Sequence, residues 1–276
     1  MTRLTEGDVR GLIADLVEWE AGVRSLTGLG LTGLAERACD LEPGAAERLR
    51  GARIAAVPIS SGLGFIPDFS ECVAAILDHL GCDVFVTPEP DVLGLQHAAE
   101  HGADVIFAAD DFRFVALNLR SATCIDNDLA TAAGFVAALD AAAPVRDQKV
   151  LVLGLGPVGR AAARRLSDLG ARVLAAEIDV TRAAAAVADL PLTIVSLEEG
   201  LEAASRVFDA TPAADLIPGE WVTDDSVVSA PGLPPATTPE ARFHLASRLI
   251  HEPLALGVAV MALAALTGEG FAAHHA

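Results

Sequence analysis

Val150–Glu177 reads VLVLGLGPVGRAAARRLSDLGARVLAAE, and this stretch decides the fold. An apolar run, Val150–Leu153, leads into Gly154-Leu155-Gly156-Pro157-Val158-Gly159. A helix-length Ala/Arg/Leu segment follows. A second apolar run, Arg172–Ala176, then ends on an acid, Glu177. Strand, glycine turn, helix, strand and acid in that order give a GxGxxG its meaning as a dinucleotide site. Gly154 permits the tight turn, Gly156 lets backbone approach a pyrophosphate, and Gly159 lets helix and strand pack closely. The helix N-terminus offers free N–H groups and a positive dipole end to the anion. Pro157 falls in the first helical turn, where a missing N–H costs little. Glu177 is placed to accept a hydrogen bond from a ribose 2′-OH, and its charge would repel a 2′-phosphate. The expected cofactor is therefore NAD rather than NADP, with Asp179 a second candidate for the ribose.

Outward from this stretch, composition sets bounds. The chain has 276 residues, enough for roughly two domains, and 52% of them are hydrophobic. It contains no tyrosine, which removes the Tyr-x-x-x-Lys acid of short-chain dehydrogenases. The formal net charge of −19 argues against nucleic acid and anionic membrane surfaces as partners. Cys39, Cys72, Cys82 and Cys124 are scattered without a CxxC, which reads as reduced thiols in a cytoplasmic protein. The polar, acidic N-terminus gives no reason to expect a signal peptide. The Ala/Gly-rich run from Pro253 to Thr267 suits a buried helix better than a membrane span.

The expected fold is α/β: a Rossmann-type NAD domain over 146–250 and a smaller α/β substrate domain with an N-terminal helical lid over 1–145. A C-terminal helix over 251–276 would lie at the domain interface. Thr5-Glu6-Gly7-Asp8 resembles a capping box before the first helix, and Asp68 with Glu71 resembles another. Alternating strands and helices from Ile54 to Asn127 predict a mostly parallel sheet, with a long Ala-rich helix from Leu129 to Ala142 crossing to the second unit.

In open parallel sheets ligands bind beyond the strand C-termini. In the first unit those ends carry Ser60-Ser61-Gly62-Leu63-Gly64, Asp110-Asp111 and Asn127. The serines can donate to a carboxylate, and the acids can hold an ammonium group. In the second unit Thr211-Pro212 closes a strand and fits the cofactor crevice. His251-Glu252 is the most polar point of the apolar C-terminal stretch, and a functional His251 would shuttle a proton or touch substrate. His97-Ala98-Ala99-Glu100-His101 matches the H-x-x-E-H spacing but lacks a further ligand, so no metal is expected. No general base can be named; Asp110 and His251 are the candidates for a catalytic group.

Several stretches together resemble the pyrrolysine synthase family of 3-methylornithyl-lysine dehydrogenases. They are LTEGDVRGLIADL at the start, VPISSGLGFIPDFSECVAAILDHLGCDVFVT, GADVIFAADDFRFVALNLR, IDNDLATAAGFVAALD, VLGLGPVGRAAARRL and RLIHEPLALGV. The resemblance implies an NAD-dependent oxidation at a CH–NH2 group. The substrate would be 3-methyl-D-ornithyl-Nε-L-lysine, oxidised at the carbon bearing the terminal amine, with ammonia loss and ring closure to pyrrolysine. It also implies site residues. Leu4 and the first helix would close over the substrate, Ser60 and Ser61 would line its pocket, and Asp110 and Asn127 would hold its polar ends. The His251-Glu252 turn would lie opposite. NAD would rest on Gly154–Gly159 with Glu177 on its ribose. The expected partners are the small-molecule substrate and, as an open option, a second copy of the chain in a homodimer. Two alternatives stay open: another NAD-dependent dehydrogenase acting on amino acids or carrier-bound substrates, and a non-enzymatic NAD-binding sensor.

Overall fold

The computed structural model describes residues 12–63 and 66–268. Leu4 and the capping box expected at Thr5–Asp8 lie outside them. Helix α1 (Leu12–Thr27) ends where Gly28 turns to a positive φ of 77°, and α2 (Leu31–Ala38) follows. The first sheet comprises β1 (Arg53–Val57), β2 (Asp83–Val86), β3 (Val105–Ala109), β4 (Phe114–Asn118) and β5 (Cys124–Asp126). Its order is β2-β1-β3-β4-β5. Strands β2, β1 and β3 run parallel, whereas β4 and β5 are antiparallel additions at one edge. Helices α3 (Phe69–His79) and α4 (Asp91–Glu100) make the crossovers.

Period-2 alternation assigns the faces of this sheet. Ile54, Ala56, Val105 and Phe107 join the main core, while Ala55, Val57 and Ile106 pack with Ala98 of α4 on the other side. The expected Asp68 capping box does not form. Asp68 takes a left-handed φ of 62° and its side chain accepts no capping hydrogen bond.

Helix α5 (Asn127–Ala142) then crosses to the second sheet. Its Ala-rich surface is buried nearly all round, which a helix running between packed layers requires. The second sheet follows: β6 (Lys149–Leu153), α6 (Pro157–Asp168), β7 (Arg172–Ala176), α7 (Val180–Asp189), β8 (Leu192–Ile194), α8 (Leu197–Ala203), β9 (Arg206–Asp209), β10 (Val227–Ser229), α9 (Pro239–Leu245) and β11 (Leu249–Ile250). All its pairings are parallel, in the order β8-β7-β6-β9-β10-β11. With β6 counted as the first strand this is the 3-2-1-4-5-6 order of dinucleotide-binding sheets, with its topological switch between β6 and β9.

The last helix, α10 (Ala255–Thr267), is buried from Ala255 to Ala265 and packs against α2, α3 and α5. Close approach explains Gly134 in α5: a Cβ there would stand 2.8 Å from Leu256. Among the described residues no helix is long and apolar enough to cross a membrane. All four cysteines are free, and burial pushes the Cys39 and Cys82 thiols up to about 12.

Candidate active site

A cavity of about 560 Å³ opens where the C-terminal ends of β1 and β3 face those of β6, β7, β9 and β10. This is where an open parallel sheet leaves its ligand side free. The glycine turn forms one wall. Gly154 has φ 81°, the left-handed conformation that a glycine accepts without strain. A Cβ on Gly159 would lie 2.0 Å from the Gly154 carbonyl oxygen, so only glycine lets α6 sit this close to β6. A Cβ on Gly156 would meet nothing within 4 Å, so this residue's surface is open for a phosphate to approach. Pro157 is the first helical residue, and Leu155 is buried with its backbone N–H directed outward to Glu177.

Glu177 is held at both oxygens. Oε2 accepts from Leu155 N–H at 2.7 Å and Oε1 from Asp179 N–H at 2.9 Å. The carboxylate thus ties the glycine turn to the end of β7 while lining the cavity. Asp179 is committed elsewhere. It caps α7 by accepting from Thr181 and Arg182 N–H, bonds that hold its carboxyl below the usual range, and it does not line the cavity. Thr211 and Pro212 do line it. Thr211 N–H donates to Asp209, a buried acid that also accepts from Ala236 N–H at 2.7 Å. Burial raises the Asp209 pKa to about 6. These residues fit a dinucleotide: a turn with room for a pyrophosphate, a helix N-terminus behind it, and a fixed carboxylate at the end of the second strand.

The first sheet supplies the opposite wall. Asp110, Asp111, Asn127 and Asp128 all line the cavity. Asp110 Oδ1 accepts from Phe112 and Arg113 N–H, both at 2.7 Å, and Asp111 Oδ2 accepts from Leu63 N–H at 2.6 Å. Asn127 is buried at the start of α5 and accepts from the Thr131 hydroxyl at 3.2 Å. Asp128, next along the helix, escaped the sequence reading. It is 6% exposed, its Oδ1 has no hydrogen-bond partner, and burial raises its pKa, with the neighbouring Asp126 carboxylate acting in the same direction. Its signal was available: an acid at the start of an Ala-rich helix, beside a residue already placed on the rim. Arg182 also lines the cavity, near Glu177, with Nε 3.6 Å from Asp179 Oδ2.

Four expected contacts fall away from the cavity. Ser60 and Ser61 do not line it, and Ser60 donates to Asp91 from both its N–H and its hydroxyl. Those bonds hold the Asp91 carboxyl below the usual range. His251 does not line the cavity and places Nδ1 2.7 Å from the Ala230 carbonyl. Glu252 is buried and accepts from Leu254, Ala255 and Leu256 N–H, capping α10. Those polar residues satisfy backbone at the turn into a buried helix, and the cavity wall there is Pro253 and Leu254 instead. His97 and His101 stack on each other with ring centroids 3.9 Å apart. No group of three His, Cys, Asp or Glu side chains among the described residues could hold a metal.

Known proteins resemble the chain along most of its length. The family model described as "Pyrrolysine biosynthesis protein PylD, N-terminal domain" matches residues 8–125. That for the NAD binding domain of D-isomer specific 2-hydroxyacid dehydrogenases matches residues 116–216. The pyrrolysine synthase of Methanosarcina acetivorans is 34% identical over 95% of this chain and 98% of its own. That of Methanosarcina barkeri is 33% identical over 95% of this chain and 97% of its own.

The chain belongs to the pyrrolysine synthase family.

Its second sheet is the family's nicotinamide-dinucleotide-binding half, and the molecule is a dehydrogenase. Solved structures repeat the architecture. Shikimate 5-dehydrogenase from Thermus thermophilus, in complex with NADP(H) and shikimate, superposes with a TM-score of 0.53. It is 19% identical, over 78% of this chain and 93% of its own. Quinate dehydrogenase from Corynebacterium glutamicum, in complex with NAD, gives 0.52 at 17% identity over 79% and 94%. At such identities the likeness speaks for the fold alone. The chain therefore shares a two-sheet scaffold with these dehydrogenases, and the scaffold alone does not fix a substrate.

Proposed function

We propose that the chain oxidises 3-methyl-D-ornithyl-Nε-L-lysine at the carbon bearing the terminal amine, with loss of ammonia and ring closure to pyrrolysine. The observation that carries this reading is the wall of Asp110, Asp111, Asn127 and Asp128 facing the glycine turn across one cavity. A substrate whose ornithine part carries two amines meets acids on one side while its reacting carbon faces the nicotinamide end of the crevice. NAD, when bound, supplies the hydride acceptor. The glycine turn from Gly154 to Gly159 and the α6 N-terminus would hold its pyrophosphate, Glu177 its ribose, and Thr211 and Pro212 its crevice wall.

The preference for NAD follows from Glu177. Its two backbone hydrogen bonds keep a fixed negative charge where a 2′-phosphate would have to sit. For ring closure the cavity need only hold the free α-amine near the oxidised carbon, since enforced proximity removes most of the entropic barrier. The division into a substrate half over 1–145, a cofactor half over 146–250 and a closing helix over 251–276 belongs to the same proposal, as does cytoplasmic localisation.

The test is direct. Purified protein given NAD and the methylated dipeptide, or its unmethylated ornithyl analogue, is expected to form NADH, read by its near-ultraviolet absorbance. No NADH or NADPH from either compound, with either cofactor, would overturn the reading.

A further inference from the structure

Four carboxylates line the cavity, and three are bound to backbone. Asp110 accepts from Phe112 and Arg113, Asp111 from Leu63, and Glu177 from Leu155 and Asp179. Asp128 differs. It is 6% exposed, and its Oδ1 is buried without a hydrogen-bond partner. A buried acceptor left unsatisfied is costly, and more so when charged, so each one in a native protein calls for an explanation. Arg113 pairs with Asp126 at 3.1 Å, and the charges of the chain's N-terminal amine and of Arg113 oppose the upward shift that burial imposes on Asp128 without hydrogen-bonding its Oδ1. The Asp128 N–H, too, is spent on Asp126 Oδ1 at 2.8 Å, which fixes the residue in the first turn of α5.

We propose that the Asp128 carboxylate binds the substrate's terminal ammonium group and takes one proton from it. This rests on the reading above that an amine-bearing carbon is oxidised. The position supports the assignment: α5 is the helix that runs from the substrate wall to the second sheet, and its first turn lines the same cavity as the glycine turn. In the step, an N–H bond of the ammonium breaks, its electron pair stays on nitrogen, and an O–H bond forms on Asp128. The product is a neutral amine and a neutral carboxyl group. The neutral amine is what oxidation needs, because the nitrogen lone pair must stabilise the carbon that loses a hydride. Burial favours the transfer. It raises the Asp128 pKa, and it lowers that of an ammonium, so the two groups approach each other in proton affinity.

The experiment compares wild type with Asp128→Asn and Asp128→Glu. Substrate binding is measured by calorimetry with NADH present, NADH binding by fluorescence, and kcat/KM across pH. Asp128→Asn is expected to weaken substrate binding by about tenfold, a loss of roughly 1.4 kcal/mol. It should lower kcat/KM by about 10²–10⁴-fold. NADH affinity should stay unchanged. Wild type should show an acid limb in kcat/KM that Asp128→Asn abolishes and Asp128→Glu displaces. An Asn variant whose substrate affinity and pH profile match wild type would overturn the proposal and leave the dehydrogenase reading intact. Wild type that binds the dipeptide through Asp128 but forms no NADH would sink the dehydrogenase reading and the proton step while sustaining the ammonium site. Wild type that neither binds nor oxidises it would overturn both. Should the Asn variant fail to fold, Asp128→Ser carries the binding comparison: unweakened substrate binding would overturn the ammonium site, and a wild-type profile without an acid limb the proton step.

Discussion

At the scale of single residues, the proposed preference for NAD rests on Glu177, which lines the cavity with both carboxylate oxygens bound to backbone N–H groups. Removing it removes a fixed charge, and Arg182 in the same wall then offers a cation to a 2′-phosphate. Glu177→Ala should raise the Kd for NAD by about tenfold and narrow or reverse the preference over NADP. Titration of both cofactors checks this, and an unchanged NAD to NADP ratio would show that another residue reads the ribose. The sequence made Glu177 legible because a strand must precede it and the acid must end that strand. It could not separate Glu177 from Asp179, since both are acids at the same strand end. In the structure Asp179 is bound to the first N–H groups of α7, whereas Glu177 lines the cavity. The Ser60 hydroxyl is taken by Asp91, 31 residues on, and His251 Nδ1 lies on the Ala230 carbonyl, partners that the local sequence does not reveal. Glu252 bonds N–H groups two to four residues on, and Asp128 lines the cavity beside Asn127.

At the scale of elements, the junction into α10 explains a buried acid that the cavity does not use. Glu252 meets three N–H groups at the N-terminus of a helix that is almost wholly enclosed. A helix start left unmet in such an enclosed place is costly. Glu252→Ala should destabilise the protein by about 2–4 kcal/mol. Denaturant unfolding reads this as a lower midpoint at constant slope, while NADH affinity of the folded variant stays as in wild type. Unaltered stability would mean that the cap is dispensable. The helices and most strands were readable from hydrophobic period, because apolar stripes of α1 and the runs of β1, β3, β6 and β7 are long enough to show one. The two-residue β11 was not, since a segment that short carries no period, and α9 was not read either. The first sheet was expected to be mostly parallel, although the short connection from Ala109 to Phe114 cannot make a parallel crossover and marks β3 and β4 as a hairpin.

At the scale of the whole molecule, two sheets meet across one cavity and a buried acid couples that arrangement to pH. Asp209 ends β9, holds both Thr211 and Ala236 by their N–H groups, and has its pKa raised by burial from 3.8 to about 6. Between those values the folded state binds more protons than the unfolded state, so stability falls as pH rises. The contribution is fully present below about pH 4, is lost as pH passes about 6, and totals roughly 3 kcal/mol. Asp209→Asn should flatten that part of the curve of unfolding free energy against pH; an identical curve would place the titration elsewhere. The molecule's central claim is chemical, though, and is tested at the reacting amine. Dipeptide carrying ¹⁵N in its terminal amine, supplied with NAD, should release labelled ammonia in step with NADH, one for one, and leave a pyrroline ring. NADH formed with the label retained in the product, or neither NADH nor labelled ammonia, would contradict the account.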